Sequence, residues 1–149
     1  MLKSGAFAFE LMGETFKLYL HEIQPSQLYI SKAKLDAVIN GRNLGDLSMY
    51  APIPIKEIGG ELVSTDGHTR GVAWLLEGYE EVEVEWETFE LDWEAYEICV
   101  QWCKDEGITS FTDLKSRVID HSDFEVLWYE RCRTMHEELE KRRKRHSQE

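Results

Sequence analysis

The chain is poor in proline, cysteine and long apolar runs. Its three prolines, Pro25, Pro52 and Pro54, build no proline-rich spacer. Its three cysteines are an odd number, which argues against a disulfide framework. No apolar run approaches the length of a membrane span. Residues 1–13 carry a few apolar side chains, but Glu10 interrupts them, so no secretory signal is expected there. Together these features predict a protein of the reducing cytoplasm with buried thiols. Bases are short as well: 17 Lys and Arg face 29 Asp and Glu, a formal charge of −12. Such a surface repels a phosphate backbone, so DNA is not expected as a partner for this chain alone.

What remains is an ordinary globular composition, with 42% hydrophobic and 31% charged residues in 149. That length buries a core without staples. The charge is uneven. Glu80 to Glu97 holds nine acids and no base, whereas Lys141-Arg142-Arg143-Lys144-Arg145 is wholly basic. The basic run reads chiefly as cations favouring a helix C-terminus.

Periodicity orders the chain. Phe16, Leu18 and Leu20 alternate with polar neighbours, which predicts a first strand. Ser31 would cap a helix with Leu35, Val38 and Ile39 on its apolar face, ending near Gly41. Ile53 to Ile58 and Leu62-Val63, joined by Gly59-Gly60, read as a hairpin. A helix opens after Asp66 and stops at Gly78. Val82, Val84 and Trp86 alternate with glutamates, which predicts a strand at a sheet edge. After Asp92 the pattern is helical. Trp93, Tyr96, Cys99, Val100 and Cys103 form one stripe, and Ser110 to Val118 a second, short helix. Ser122 with Glu125 reads as a capping box for a last helix carrying Phe124, Trp128, Cys132, Met135 and Leu139. The expected fold is α/β (α+β), a small mixed sheet with helices over about 14–88 and a helical extension over about 92–145 packed on it.

The stretch Asp66-Gly67-His68-Thr69-Arg70 carries the chemistry. Glycine where a strand turns into a helix lets backbone N–H groups approach an anion, and the helix N-terminus favours negative charge. Arg70 adds a planar fork of donors suited to phosphate. Gly67, His68, Thr69 and Arg70 are therefore the candidate ligand-binding residues. Asp66 is placed to hold a metal ion, to orient a hydroxyl, or simply to cap the helix. His68 is a candidate general acid or phosphate donor, or a residue that fixes the loop. The aromatics Trp86, Trp93, Trp102, Trp128 and Tyr129 read as core rather than a base-stacking platform. Cys99, Cys103, His121 and Cys132 match no standard zinc spacing and read as packing residues.

The order of these pieces resembles a known family. Ile23-Gln24-Pro25-Ser26-Gln27-Leu28, Pro54-Ile55, Asp66-Gly67-His68-Thr69-Arg70, and Gly78 before Val82-Glu83-Val84 are similar to the ParB/sulfiredoxin superfamily, in its ParB N-terminal-like domain. The resemblance covers about residues 14–88. It implies nucleotide phosphates (ATP, ADP or CTP) at the Asp66–Ala73 turn, often with Mg²⁺, which Asp66 would hold. Sulfiredoxin members have a nucleophilic cysteine in this turn. Here His68 and Thr69 stand between Gly67 and Arg70, so sulfinic-acid reduction is not expected. Free-serine kinases of the superfamily carry a catalytic Glu where this chain has Gln27, so Glu22 or His21 would have to replace it. ParB proper adds a helix-turn-helix reader, and residues 92–145 show no recognition helix rich in polar and basic side chains. Two functions follow. One is nucleotide binding with hydrolysis or phosphoryl transfer, using Asp66, His68 and Glu22. The other is a non-catalytic module, nucleotide-gated or purely partner-binding, with a protein partner or a second copy of itself.

Overall fold

A curled four-stranded sheet forms the centre of a mixed α+β fold, seen in a computed structural model that describes residues 14–148. The expectation of no export signal in residues 1–13 lies outside the described residues. Strand β1 (Phe16–Tyr19) pairs antiparallel with β5 (Glu81–Trp86), which runs parallel to β3 (Ile53–Ile58); β3 pairs antiparallel with β4 (Glu61–Ser64). The order across the sheet is β1-β5-β3-β4. Strand β5 is therefore interior, which corrects the edge expected from its glutamates. Glu81 and Glu83 are exposed while Val82 and Val84 are buried. Alternation reports one wet face, and a strand flanked on both sides can have one.

Glycine makes the β3–β4 turn. Gly59 and Gly60 have φ of +60° and +82°, the double left-handed turn that two-residue hairpins favour. The sheet then curls until its edges approach one another. A 3₁₀ turn, Leu20–Glu22, follows β1, and the backbone of Gln24 then lies along the free side of β4. Its N–H donates to the Leu62 carbonyl at 2.9 Å, and its carbonyl accepts from Ser64 at 3.0 Å. This crossing carries the Pro25–Gln27 loop over to the end of β4, where the candidate turn begins.

Helix α1 (Lys32–Asn43) follows a two-residue strand, β2 (Ile30–Ser31), that pairs parallel with β6 (Val118–Ile119). The Ser31 hydroxyl accepts from the Lys34 N–H, as its capping role predicts, but α1 runs past Gly41 to Asn43. Helix α2 (His68–Leu76) ends at a Gly78 with φ of +92°. Helix α3 (Trp93–Asp105) is capped by the Asp92 carboxylate on the Ala95 N–H. The segment expected as a short helix is a 3₁₀ helix, Phe111–Arg117.

The C-terminal helix, α4, is 27 residues long. It is α-helical over His121–Phe124, π-helical over Glu125–Glu130 and α-helical over Arg131–Ser147. The expected capping box does not form. The helix starts two residues earlier, with Asp120 at its N-cap, and Ser122 lies inside it. Glu125 pairs instead with His121 at 3.2 Å.

One cluster of buried side chains links these elements. Leu20 and Ile23 from the turn after β1, and Ile53, Ile55, Val84 and Val72 from the sheet and α2, join Cys99, Cys103, Phe111, Phe124 and Leu139 from the helices. Phe111 is the hinge of this packing. Its ring stands where a Cβ on Gly71 would lie, within 2.2–2.3 Å, so α2 approaches the 3₁₀ helix only because residue 71 has no side chain.

Candidate functional site

The Ser64–Arg70 turn is held by backbone bonds from every side. The Ser26 hydroxyl donates to the Ser64 carbonyl at 2.7 Å, and the Ser64 hydroxyl donates to the Asp66 carbonyl. The Thr65 N–H donates to the Pro54 carbonyl at 3.0 Å, and the Thr65 hydroxyl to Glu87 Oε1 at 2.8 Å. The Tyr96 hydroxyl, reaching over from α3, donates to the Thr65 carbonyl at 2.9 Å. Gly67 then turns the chain at φ +77°, and its N–H donates to Asp66 Oδ1 at 2.8 Å. The first helical bond of α2 runs from the Gly71 N–H to the Gly67 carbonyl at 2.9 Å. The N–H groups of His68, Thr69 and Arg70 precede it and stand at the positive end of the helix.

The expected site residues divide. Asp66 is exposed and Thr69 half-buried, both at the opening of α2. His68 is buried. Its Nε2 accepts the Ser26 N–H at 3.0 Å, and its ring stacks on Phe111 at 5.4 Å between centroids, 4° from parallel. Burial pushes its pKa down to about 4; the Asp66 carboxylate pulls the other way, and Arg70 adds a smaller lowering. The imidazole is therefore neutral at pH 7, with its proton on Nδ1. It braces the Pro25–Gln27 loop against α2, and this replaces the expectation of a general acid.

Arg70 folds back instead of reaching outward. One Nη donates to the Pro52 carbonyl at 3.0 Å, and the guanidinium lies over Gly67, 2.9 Å from where a Cβ would stand. Its Nε is buried without a partner among the described residues. Glu22 is also committed locally. It is exposed, and its Oε1 accepts the Tyr19 N–H at 3.1 Å to close the turn after β1. His21 stacks on Tyr19 at 5.3 Å. Neither joins Asp66, which corrects their expected role as a replacement base.

Two cavities meet at the turn. The inner one, about 240 Å³, lies between the turn, α3 and α4. Gln27, Asp66 and His68 line one side, and Asp92, Tyr96, Cys99, Cys132 and His136 line the other. The outer one, about 560 Å³, is lined by Pro54, Thr65, Asp66, Glu85, Glu87 and Tyr96. Asp66 and Tyr96 form the wall between them. Gln27 is tied down, its Nε2 donating to the Tyr29 carbonyl at 2.9 Å.

Sequence reasoning placed Tyr96, Cys99 and Cys132 on packing stripes and did not single out His136. Tyr96 had a readable signal, since a phenol on an apolar stripe needs a polar partner for its hydroxyl. The other three line the inner cavity only because α3 and α4 pack together, which no local pattern carries.

Among the described residues no group of three or more His, Cys, Asp or Glu converges to hold a metal ion. The chemistry of Asp66 still fits Mg²⁺ in one way. Oδ1 is taken by Gly67, and the other oxygen has no partner among the described residues. Mg²⁺ commonly sits on one or two carboxylates together with ligand phosphates and water.

No protein-family model and no curated protein matches the chain. Among solved structures, the crystal structure of protein Atu1540 from Agrobacterium tumefaciens is similar over 64% of this chain, at 11% identity and a TM-score of 0.41. The match spans half of that protein's length.

Proposed function

We propose that this chain is a non-catalytic ligand-binding module of the ParB/sulfiredoxin type, taking a nucleotide or other phosphate-bearing molecule at the Gly67–Arg70 turn. One observation carries the reading. The left-handed Gly67 opens α2 with three N–H groups ahead of its first helical bond, beside two cavities that share the Asp66 wall. Gly67 and Thr69 offer close backbone approach. Arg70 would leave the Pro52 carbonyl for the phosphate, and its unpartnered Nε gives it a reason to move. Asp66 would hold Mg²⁺ against the phosphates and offset the surrounding acids. The residues proposed for catalysis favour binding alone, because His68 is buried and neutral and Glu22 is a local cap.

A nucleotide panel tests this by thermal shift, with and without Mg²⁺. A ligand at a hundred times its Kd stabilises by about 2.7 kcal/mol, a rise of several degrees at this chain length. Arg70→Met should abolish the shift while leaving the fold intact, since it removes a buried unpaired donor along with one hydrogen bond. Phosphate release assayed on the same samples separates the two functions: turnover would restore the catalytic reading. No shift with any nucleotide or phosphate ester would remove the proposal.

A further inference from the structure

Away from that turn, three aromatic rings and three carboxylates surround a cavity of about 520 Å³. Trp74 lies on α2, Tyr50 in the 3₁₀ turn Ser48–Tyr50, and Tyr79 just after Gly78. The indole N–H donates to the Met49 carbonyl at 3.2 Å, and the Tyr79 N–H donates to the Trp74 carbonyl at 3.0 Å. The rings stand nearly at right angles. Tyr50 meets Trp74 at 5.3 Å and 71°, and Tyr79 meets it at 4.8 Å and 81°. Tyr50 and Tyr79 remain 50% and 48% exposed. Phenols that could have packed inward are left as walls of an opening.

The charges beside the rings have one dominant sign. Glu80, Glu81 and Glu83 line the same cavity against Lys17 alone, and these glutamates form no ion pair among the described residues. The opening therefore attracts cations and repels anions. The rings already hold a cation elsewhere. The Arg42 guanidinium lies 5.4 Å from the Trp74 centroid and 5.9 Å from that of Tyr50, outside the cavity lining. It is fixed by the Tyr50 hydroxyl at 3.2 Å and by Glu77 at 3.0 Å.

We propose that this cavity binds a quaternary ammonium group. Ring faces attract a cation through their quadrupole, and the nearby carboxylates add charge. A trimethylammonium group has no N–H, so it needs no hydrogen-bond acceptor, and the ring faces offer none. A primary ammonium could donate to the carboxylates, but against the ring faces its remaining N–H groups would lose hydration without replacement. This reading is independent of the phosphate site, which lies at the opposite end of α2.

NMR titration of the full chain with choline tests it, read at the Trp74 indole N–H. Choline should shift that resonance. The neutral isostere, with a tert-butyl group in place of trimethylammonium, should bind about tenfold more weakly, because it keeps the shape and loses the charge. Tyr79→Leu and the Glu81→Gln, Glu83→Gln pair should each weaken choline several-fold, and Tyr79→Phe should restore most of the loss. A peptide carrying trimethyllysine, set against its unmodified form, tells a protein-borne quaternary ammonium from a free one. No shift with either choline or the trimethyllysine peptide overturns the proposal. So does equal binding of the neutral isostere, or choline binding unaffected by Tyr79→Leu.

Discussion

The Ser26 N–H donates to His68 Nε2 at 3.0 Å, and that bond ties the loop after β1 to the first residue of α2. It requires a neutral imidazole. The folded protein binds the His68 proton only near pH 4, against 6.5 for the unfolded chain. Between those values the unfolded state holds more protons. Stability is fully present above about 6.5 and falls as pH drops toward about 4. Between about pH 7 and about pH 5 the loss is about 2 kcal/mol. Urea unfolding at about pH 7 and about pH 5 measures it. His68→Gln keeps an acceptor for Ser26 without the titration, so its stability should change much less across that window. An equally steep loss in that variant would place the acid sensitivity elsewhere.

Gly71 supplies the second prediction. A Cβ there would lie 2.2 Å from the Phe111 ring. Alanine is the better helix former by about 1 kcal/mol, which argues for a gain. Overpacking against a fully buried ring opposes it at about 1–3 kcal/mol or more, and it should win. Gly71→Ala should therefore lower the urea midpoint. The double variant Gly71→Ala, Phe111→Leu should recover part of that loss, since it opens the space the methyl needs. Additive losses would show that the ring is not the obstacle.

Strand and helix positions were legible because each has its own period, and the Gly59-Gly60, Gly67 and Gly78 turns were legible because each needs a left-handed φ. The position of β5 was not. Alternating Val and Glu gives the faces of a strand and says nothing of its lateral neighbours. The candidate turn was found from its residue types, but not what those residues touch. That His68 faces inward depends on Phe111, 43 positions away in the chain. That Arg70 folds back depends on the Pro52 carbonyl. Both are tertiary facts without a local signature.

The basic run near the C-terminus is partly spent within the fold. Arg143 forks onto Asp92 at 2.9 and 3.0 Å and reaches Glu94 at 3.0 Å, while Arg142 also pairs with Glu94. These contacts clamp the end of α4 to the start of α3, and Arg143 holds the Asp92 carboxyl below its usual range. They are solvent-exposed, so each contributes little. Arg142→Ala, Arg143→Ala should lower stability modestly at low salt, with the difference shrinking at high salt. Gel shifts at physiological salt should show no tight DNA binding by the full chain. Sequence-selective binding that survives removal of residues 141–149 would reveal a DNA-reading surface on the helices.

The three thiols should react in a fixed order. Cys103 is fully buried, and burial pushes its pKa up to about 12. Cys99 and Cys132 face each other between α3 and α4. The Cys99 thiol donates toward Cys132, which raises Cys99 and lowers Cys132, with Arg131 adding to the lowering. Cys132 is also only half-buried, whereas the sequence placed all three on packed faces. Thiolate fraction and access together set alkylation rates. Iodoacetamide on the native protein, followed by mass spectrometry, should label Cys132 first and Cys99 more slowly. Cys103 should be labelled only at the rate of unfolding, so urea should accelerate Cys103 far more than Cys132. Native labelling of Cys103 as fast as Cys132 would mean that α3 opens away from the core without global unfolding.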